Sequence, residues 1–424
     1  MKNYRLKLGL LIPVIIFGCG QVNEKVKAIK QEYPESLKIM VENPASIAGT
    51  DAAVFMNLTD IKAKSPDFNA NAFVVISGSE ELASQADDLD GNGSSDQIVF
   101  VANFAPQEKK TITLYYNKEG TRERVYTKRT QAELSVKMGG KFVNREYIGG
   151  TFQNVKYLRV PPEHTDHSWY IRYEGPGWES DKVGYRFYLD WRNANDVFGK
   201  KTPDMVLQDV GLDGFDSYHE MSDWGMDILK VGESLGIGSI AMWHDGNAER
   251  VSVTDSVTCR IAADGPVFSE IETSYYGWKV GDNKYNLVSD LSITAGSRMT
   301  KSSLQIEGNP PNLCTGIVKL ENTKLLQLED PAGEWSYLAT YGKQSLAEDN
   351  LGLAVVYKNA DLIEITEDKY SHVVVLKPEQ GKLDYYFLAA WDKEPNGITN
   401  EMAFVSYLKD VITQLDNPLV TNME

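Results

Sequence analysis

Histidine and arginine side chains are concentrated in one stretch of the chain, from Tyr157 to Asp227. Three of the five histidines, His164, His167 and His219, lie there. Imidazole changes its charge near neutral pH, and guanidinium forms planar, paired hydrogen bonds with carboxylates. The stretch therefore contains the residue types that proton transfer and anion binding require.

Two runs within this stretch show the alternation of β-strands. Residues 169–174 and 183–192 alternate apolar or aromatic residues with charged ones. Two such neighbouring strands would present five charged side chains on one face: Arg172, Glu174, Arg186, Asp190 and Arg192. A solvated outer face with cross-strand ion pairs is the alternative interpretation. For the set as a whole we favour a site, because such a face is costly to bury and useful in a groove.

The beginning of the chain has the organisation of an export signal. A basic opening precedes an apolar run, 8–17, that is too short to span a bilayer. The Gly-Cys pair at its end resembles a bacterial lipoprotein signal, with cleavage before Cys19 and acylation of its thiol. An ordinary secretory signal is the alternative. We expect residues 1–18 to be a signal peptide and 19–35 a linker.

An exported protein of this kind would be periplasmic or an outer-membrane lipoprotein. Its membrane contact would be the lipid alone, because the formal net charge is −17 and the chain has no basic run. The same charge argues against nucleic acid as a partner. Cys259 and Cys314 would remain as ordinary cysteines, and their spacing leaves open one disulfide or two buried thiols.

Residues 36–126 are predicted to form a small β-sandwich, because short strand-like runs alternate with turns. Within it, the run DDLDGNGSSD places oxygen ligands at alternate positions: Asp88, Asp90, Asn92 and Asp96. This spacing is typical of a calcium loop, although Val99 stands where an EF-hand has glutamate. A turn capped by its own carboxylates is the alternative.

Residues 127–424 are predicted to form one large antiparallel β-domain, so that the chain is mostly β. Most of its apolar runs are strand-like, and no dinucleotide- or phosphate-binding glycine pattern is present. Residues 198–227 read as a long loop rich in Asp and Gly, a kind of segment that often carries function. One helix is predicted near the end, with an apolar stripe formed by Phe404, Leu408, Ile412 and Leu415.

Several runs resemble a bacterial family long catalogued as a domain of unknown function: RYEGPGWESDKVGYRFYLDWRNANDVFGKK, DGFDSYHEMSDWGMDILKVGESLGIGSIAMW, and ETSYYGW followed by ITAGSRM. The front-domain run DDLDGNGSSDQIVF also resembles that family, so the resemblance covers nearly all of the exported chain. One branch of the family acts as an oligosaccharide dehydratase in the breakdown of ulvan, the sulfated uronic-acid and rhamnose polysaccharide of green algae. The resemblance implies a galactose-mutarotase-like β-supersandwich, a fold shared with polysaccharide lyases and sugar epimerases.

The resemblance further implies elimination of water across carbons 4 and 5 of a uronic acid at the non-reducing end of an anionic oligosaccharide. That reaction needs a group that neutralises the carboxylate, a base, and an acid for the departing hydroxyl. The candidates for these catalytic tasks are His164, His219, Tyr218 and Arg186. The candidates for substrate binding are Arg172, Trp178, Asp190 and Arg192.

Three alternatives to this interpretation stay open. Calcium or another divalent metal near His219, with His164 or His167 as further ligands, would offset the repulsion between the acidic loop and an anionic substrate. A polysaccharide lyase would use the same residue types, since it abstracts the same proton, whereas a non-catalytic glycan-binding lipoprotein would need no proton-transfer groups.

Overall fold

The computed structural model describes residues 18–321, 323–328 and 332–424. The predicted signal peptide lies almost wholly outside the described residues, and so does the side chain of Cys19. In the described part of the chain, no helix is both long enough and apolar enough to cross a bilayer.

The first part of the chain contains the following elements: α1 (Gly18–Glu32), β1 (Glu35–Glu42), β2 (Gly49–Asn57), α2 (Leu58–Lys64), β3 (Phe73–Ser77), β4 (Glu80–Leu82), β5 (Ser84–Asp87), β6 (Gln97–Phe104) and β7 (Lys109–Tyr116).

The second part continues with β8 (Thr130–Glu133), β9 (Ser135–Met138), β10 (Lys141–Val143), β11 (Glu146–Ile148), β12 (Thr151–Asn154), β13 (Tyr157–Arg159), β14 (Gly177–Ser180), β15 (Val183–Phe187), β16 (Asn195–Lys200), β17 (Gly225–Asp227), β18 (Ala241–His244), β19 (Asn247–Arg250), β20 (Ser256–Asp264), β21 (Phe268–Val280) and β22 (Asn283–Thr294). The chain ends with β23 (Met299–Glu307), β24 (Leu313–Val318), β25 (Thr323–Gln327), β26 (Trp335–Lys343), β27 (Asn350–Lys358), β28 (Leu362–Glu367), β29 (Ser371–Leu376), β30 (Lys382–Trp391), α3 (Glu401–Asp416) and β31 (Val420–Met423).

The front domain is a sandwich of two antiparallel sheets. A five-stranded sheet, in the order β31-β1-β7-β3-β4, packs on the three-stranded sheet β2-β6-β5. Ile39, Phe73 and Leu114 from the first sheet and Phe100 from the second are fully buried between them. The last strand of the chain therefore belongs to the sheet that the first strand begins.

The large domain is built from three main sheets. A nine-stranded sheet, β13-β20-β21-β22-β23-β30-β27-β26-β25, faces two five-stranded sheets, β17-β16-β15-β14-β8 and β19-β18-β24-β29-β28. One continuous core joins them, to which the three sheets contribute Phe387, Trp178 and Ile317 respectively. The predicted mostly β, antiparallel fold class is confirmed.

The burial of each strand follows what covers its two faces. Along β22, buried residues alternate with less buried ones, because one face alone packs on the core. Strand β27 is buried at almost every position, because α3 covers its second face with Phe404 and Leu408. The predicted helix is confirmed, and Asn400 caps it by accepting a hydrogen bond from the backbone N–H of Ala403 at 2.9 Å.

Three local predictions need correction. Strand β15 ends at Phe187, so the alternation through residue 192 continues past the strand. Residues 172–174 form a 3-10 turn instead of the predicted strand. Cys259 and Cys314 are both buried free thiols, so the disulfide alternative is wrong.

Candidate functional site

The candidate site lies on the face of the sheet β17-β16-β15-β14-β8 that points away from the core. Tyr185 and Phe187 on β15 belong to the core, so Arg186 between them projects from the opposite face. Its cross-strand partner on β16 is Asp196. Residues of the loop 201–224 pack on Phe198 of that same face: Val206, Leu207, Val210 and Tyr218. The loop thus covers a face that the alternation alone would leave in water.

Beneath this loop lies a buried polar group, which we call the Arg186 cluster: Arg186, Tyr188, Asp196, Tyr218 and Asp227. The Nη2 atom of Arg186 donates to Asp196 Oδ2 at 2.8 Å and to Asp227 Oδ2 at 2.6 Å. Its Nη1 atom donates to the Tyr218 hydroxyl at 3.0 Å, and the Tyr188 hydroxyl donates to Asp196 Oδ2 at 2.7 Å. The Arg186 side chain is 1% exposed. Protein carboxylates therefore compensate the charge of Arg186, and a substrate cannot reach its guanidinium.

Burial and the contacts within the cluster also shift the pKa values of Arg186, Asp196 and Tyr218. Burial opposes the charge of Arg186, but the Tyr188 and Tyr218 hydroxyls and the neighbouring carboxylates outweigh it and raise the arginine pKa. Burial raises the pKa of Asp196, and the Asp227 carboxylate adds to the increase. Burial likewise raises the pKa of Tyr218 to about 12. A neutral, buried tyrosine is a poor base near neutral pH.

A second polar group adjoins the first, and we call it the Arg192 cluster: Asp166, His167, Glu174, Asp190 and Arg192. The guanidinium of Arg192 lies 2.8 Å from Asp166 Oδ1, 2.9 Å from Glu174 Oε1 and 2.5 Å from Asp190 Oδ2. It also lies 3.9 Å from the centroid of the Tyr188 ring. Since Tyr188 belongs to the Arg186 cluster, the two clusters are contiguous.

The backbone around the Arg192 cluster is strained. His167, Trp169, Tyr173 and Glu174 have φ values of 58°, 59°, 38° and 70°, in the left-handed region that favours glycine. Each such residue costs about 1–3 kcal/mol, and residues of this kind collect at functional sites. The Glu174 carboxylate holds one of them by accepting the His167 backbone N–H at 2.9 Å. The strain supports a functional interpretation of this segment.

At the edge of the two clusters lie five side chains that we call the rim: Lys137, His167, Trp169, Phe215 and His219. His167 belongs to both the rim and the Arg192 cluster. The Phe215 ring lies 4.7 Å from the His167 ring and 4.5 Å from the Trp169 ring, centroid to centroid. Lys137 Nζ lies 4.7 Å from the centroid of the Trp169 ring. The His167 and His219 side chains are 64% and 45% exposed. The rim is therefore the part of the site that a substrate can reach.

His219 is supported on both ring nitrogens. Its Nδ1 donates to the Phe215 carbonyl at 2.7 Å, and its Nε2 lies 3.4 Å from Asp227 Oδ2. The Asp227 carboxylate raises the pKa of His219, against a smaller opposing effect of burial. The imidazolium form is thereby favoured, which suits a proton donor.

His167 has a different arrangement. Its Nδ1 lies 2.6 Å from Asp166 Oδ1, and the Arg192 guanidinium pairs with the same carboxylate. An Nδ1–H that donates to a carboxylate leaves Nε2 as the acceptor nitrogen. In the neutral ring, the contact with Asp166 thus favours the tautomer in which Nε2 is the hydrogen-bond acceptor.

The metal alternative can be compared with this geometry. Asp166, His167 and Glu174 place one ligand atom each within 4.8 Å of one another. Arg192, however, already pairs with both carboxylates, so a metal ion would have to displace a guanidinium. These contacts favour a cluster of ion pairs over a metal centre. A metal near His219 stays a prediction.

Two residues predicted from the sequence lie deeper than expected. His164 is 8% exposed, its Nδ1 lies 2.8 Å from Ser168 Oγ, and burial lowers its pKa to about 4. Trp178 is wholly buried, stacks on Tyr185 at 5.6 Å between centroids, and donates from Nε1 to Thr300 Oγ1 at 2.8 Å. Because no face of the indole is open, the prediction of Trp178 as a substrate-binding residue is corrected.

Most of the polar residues predicted to bind substrate are buried, so these predictions are also corrected. The Arg172 guanidinium binds the buried Glu133 carboxylate and donates to the Gln208 carbonyl at 2.7 Å. The Asp190 side chain is 0% exposed and is held by Arg192. Arg186, the predicted carboxylate clamp, is closed off as described above. Of the predicted arginines, Arg192 alone has a side chain more than a tenth exposed.

The rim contains residues that the sequence did not single out for catalysis or binding. Lys137 and Phe215 stand in unremarkable sequence surroundings, and their importance comes from their contacts with Trp169 and His167. His167 had a readable signal, because Asp166 precedes it directly and an adjacent carboxylate can orient an imidazole.

The predicted calcium loop is formed as a compact acidic turn in the front domain. Asp88, Asp90 and Asp96 place carboxylate oxygens within 4.8 Å of one another. Backbone N–H groups of the loop already donate to them, including Gly93 to Asp88 Oδ2 at 2.7 Å. Asn92 donates from its amide to Asp90 Oδ2 at 2.8 Å. Both the calcium loop and the self-capped turn are compatible with this geometry, and calcium stays a prediction.

Comparisons with known proteins give one family and several distant structural likenesses, of which two are described below. A search of curated proteins returned no match. A protein in the glycosyl hydrolase family 38 from Enterococcus faecalis has 9% sequence identity and a TM-score of 0.44, over 92% of this chain and 47% of that one. An alpha-mannosidase from Enterococcus faecalis has 10% identity and a TM-score of 0.44, over 95% of this chain and 48% of that one. This chain thus spans about half the length of either protein.

The family comparison covers nearly the whole chain. The family model described as "Domain of unknown function (DUF4861)" matches residues 41–420, which include both domains and both polar clusters. The chain therefore belongs to the DUF4861 family.

Proposed function

We propose that this protein is an oligosaccharide dehydratase that eliminates water across carbons 4 and 5 of a non-reducing-end uronic acid in ulvan oligosaccharides, giving an unsaturated uronic acid. One observation carries the proposal. Two accessible histidines contact Phe215, His167 through the aromatic ring and His219 through the backbone carbonyl, and each has its own carboxylate, Asp166 for His167 and Asp227 for His219.

In this proposal His167 is the base and His219 the acid of the elimination. His167 Nε2 takes the proton from carbon 5, and the electron pair of the C–H bond forms the double bond between carbons 4 and 5. The bond from carbon 4 to its hydroxyl oxygen breaks, and the His219 imidazolium protonates that oxygen, so that water leaves. Exchange with solvent then returns both rings to their starting forms, because both are exposed.

The substrate carboxylate also needs a cation, and Arg186 and Arg192 are already paired. Lys137 is the better candidate, because it borders Trp169 on the rim and no ion pair to it is found among the described residues. Burial lowers the pKa of Lys137, and an anion bound beside it would raise that pKa again and so favour the charged ammonium form. Arg145, with a side chain 62% exposed, contacts Asp166 at 3.5 Å and is a second cation near the same place.

The choice of ulvan oligosaccharides rests on the resemblance of the motif series to a family branch that acts in ulvan breakdown. The two histidines support an elimination, and the choice of a dehydratase over a lyase rests on the same resemblance. Export, as a periplasmic or lipid-anchored protein, would place the enzyme where such oligosaccharides arrive.

Mass spectrometry of a defined ulvan tetrasaccharide with a saturated uronic acid at its non-reducing end tests the proposal. We expect loss of one water with the chain length intact, and a rise in ultraviolet absorbance from the unsaturated product. Two shorter fragments would instead identify a lyase. Measurable binding without any unsaturated product would identify a non-catalytic glycan-binding protein.

Variants assign the roles within that assay. His219→Ala and His167→Ala should each lower kcat by about 100- to 10,000-fold, as removal of an acid or base does. His244→Ala is the matched control, since His244 is also exposed and lies 3.4 Å from a carboxylate, that of Glu249. Turnover by the His219 or His167 variant equal to that of the control would remove that residue from the mechanism.

A further inference from the structure

A second cleft, of about 660 Å³, lies where the front domain, the nine-stranded sheet and α3 meet. Its size is within the range of small-ligand sites. Its lining includes three cations and three aromatic rings: Lys182, Arg298, Lys301, Phe55, Tyr386 and Tyr407. None of the residues of the rim or of the two clusters lines it.

We propose that this cleft is a second glycan-binding site, which holds a negatively charged sugar residue of the polysaccharide away from the histidines. The inference rests on the proposed function only for the identity of the glycan. Its own basis is the charge and the aromatic lining of the cleft.

The charges of the lining leave an excess of accessible lysine. Arg298 is compensated by the buried Glu394 carboxylate, and Asp51 is compensated by two hydrogen bonds of 2.8 Å from Arg129. For Lys182, no carboxylate within ion-pair distance is found in the described part of the chain. Lys301 lies 3.4 Å from Asp384, and that pair is 41% and 45% exposed, so solvent screens it.

This excess is notable in a protein whose net charge is −17. Asp410 is the remaining acidic residue of the lining, against two lysines that are free or weakly paired. A sugar carboxylate or sulfate ester would be bound by ammonium groups of this kind as a charge-assisted contact.

The aromatic rings supply the second feature of a sugar site. Phe55 is 47% exposed, although it packs edge-on against Phe268 at 5.5 Å between centroids. The Tyr407 ring lies 5.0 Å from the Arg298 guanidinium, which fixes its position. Rings with a polar edge and an apolar face suit the alternating hydroxyl and C–H surfaces of a pyranose.

Small hydroxyl and amide side chains complete the lining: Thr50, Ser292, Thr294, Ser297 and Gln414. Such groups give the directional hydrogen bonds that distinguish one sugar from another. A purely electrostatic surface would not need them, and an apolar docking groove would not place lysines between them. The combination favours an anionic glycan as the occupant.

The test measures binding of polymeric ulvan to the full-length protein in a His219→Ala background, so that no turnover interferes. We expect Lys182→Ala/Lys301→Ala to bind about tenfold more weakly than the background protein, which corresponds to the loss of one or two charge-assisted contacts. Lys279→Ala/Lys377→Ala is the matched control, because it removes the same charge from exposed lysines that do not line the cleft. That control should bind as the background protein does.

Two further probes identify the group that is recognised. Binding of desulfated ulvan would assign recognition to the carboxylate, and loss of its binding would assign recognition to the sulfate ester. A neutral glucan should not bind at this site. Either assignment supports the inference, provided that the lysine variant and its control still differ.

The failures of the two proposals can be told apart. Weaker binding by the cleft variant, together with an inactive wild-type enzyme in the tetrasaccharide assay, would leave the glycan site standing and remove the dehydratase. Equal affinities for the background protein, the cleft variant and the control would overturn the glycan site, whatever the activity. Equal weakening in the cleft variant and the control would also overturn it, as a general charge effect.

Discussion

Replacing Arg186 by alanine should destabilise the protein strongly, because the substitution leaves two carboxylates behind in the interior. Asp196 and Asp227 each have a 1% exposed side chain and share the Arg186 Nη2 atom. Breaking a buried ion pair by removing one partner costs about 3–5 kcal/mol. A protein domain is stable by only roughly 5–15 kcal/mol. Arg186→Ala should therefore lose a large share of the stability of the domain.

Urea unfolding at pH 7.5, followed by tryptophan fluorescence, measures this loss. Urea slopes are about 1–3 kcal/mol per molar for small proteins and rise with size, so the unfolding midpoint of Arg186→Ala should fall by about 1 M or more. Arg145→Ala is the control, because Arg145 is 62% exposed and its removal should change stability by less than about 0.5 kcal/mol.

The deficit should also depend on pH in a defined direction. Burial already raises the pKa of Asp196, and removal of Arg186 should raise it further above that of the unfolded chain, so the folded variant binds a proton that the unfolded variant does not. Its stability relative to wild type should recover as the pH falls from 7.5 towards 5. An Arg186→Ala midpoint equal to that of the Arg145 control at pH 7.5 would refute the reasoning and return Arg186 to the list of accessible substrate ligands.

Three other predictions concern pH, metal and export. The pKa of His164, about 4 in the folded protein, lies below that of an unfolded histidine, so its contribution to stability should be lost as the pH falls from about 6.5 to about 4; urea unfolding of His164→Gln across this window should show a flatter dependence than wild type. If the acidic turn binds calcium, Ca²⁺ should raise the melting temperature of wild type and leave Asp88→Ala unchanged, whereas an unchanged wild type would favour the self-capped turn. Cys19→Ala should release the protein from the membrane fraction, and retention of that variant would contradict the lipoprotein prediction.

The sequence predicted those helices and strands in which one face packs on the core, because the apolar residues then recur with a regular period. The stripe of α3 and the alternation along β15 both appear in the structure, because burial of one face imposes a period that can be read directly. The alternation does not reveal what covers the second face. On β15 that face carries Arg186, and the loop 201–224 buries it, so a residue predicted as an accessible clamp became part of the interior.

The prediction for Trp178 failed for a related reason. Trp178 follows Gly175, Pro176 and Gly177, a run typical of a turn, and a turn would expose the indole. Gly177 instead begins β14, which places Trp178 on the core face opposite Tyr185. His219 of the rim was predicted, but Lys137 and Phe215 were not, because they reach Trp169 and His167 only through the fold. Lys137 on β9 meets Trp169 through tertiary contact alone, and the left-handed backbone at His167 and Trp169 has no signature in residue type.

The pairing of β31 with β1 has a consequence for biosynthesis. The chain leaves the ribosome from its amino end, yet the first strand receives one of its two neighbours only when Val420–Met423 has been made. Throughout synthesis and any passage through a membrane, β1 therefore carries an open edge, which is a template for association with other chains. Synthesis of Val420–Met423, and not the arrival of the front segment, completes the sheet that contains β1. Variants that lack Val420–Met423 should consequently accumulate as aggregates, although every residue of the rim is still present.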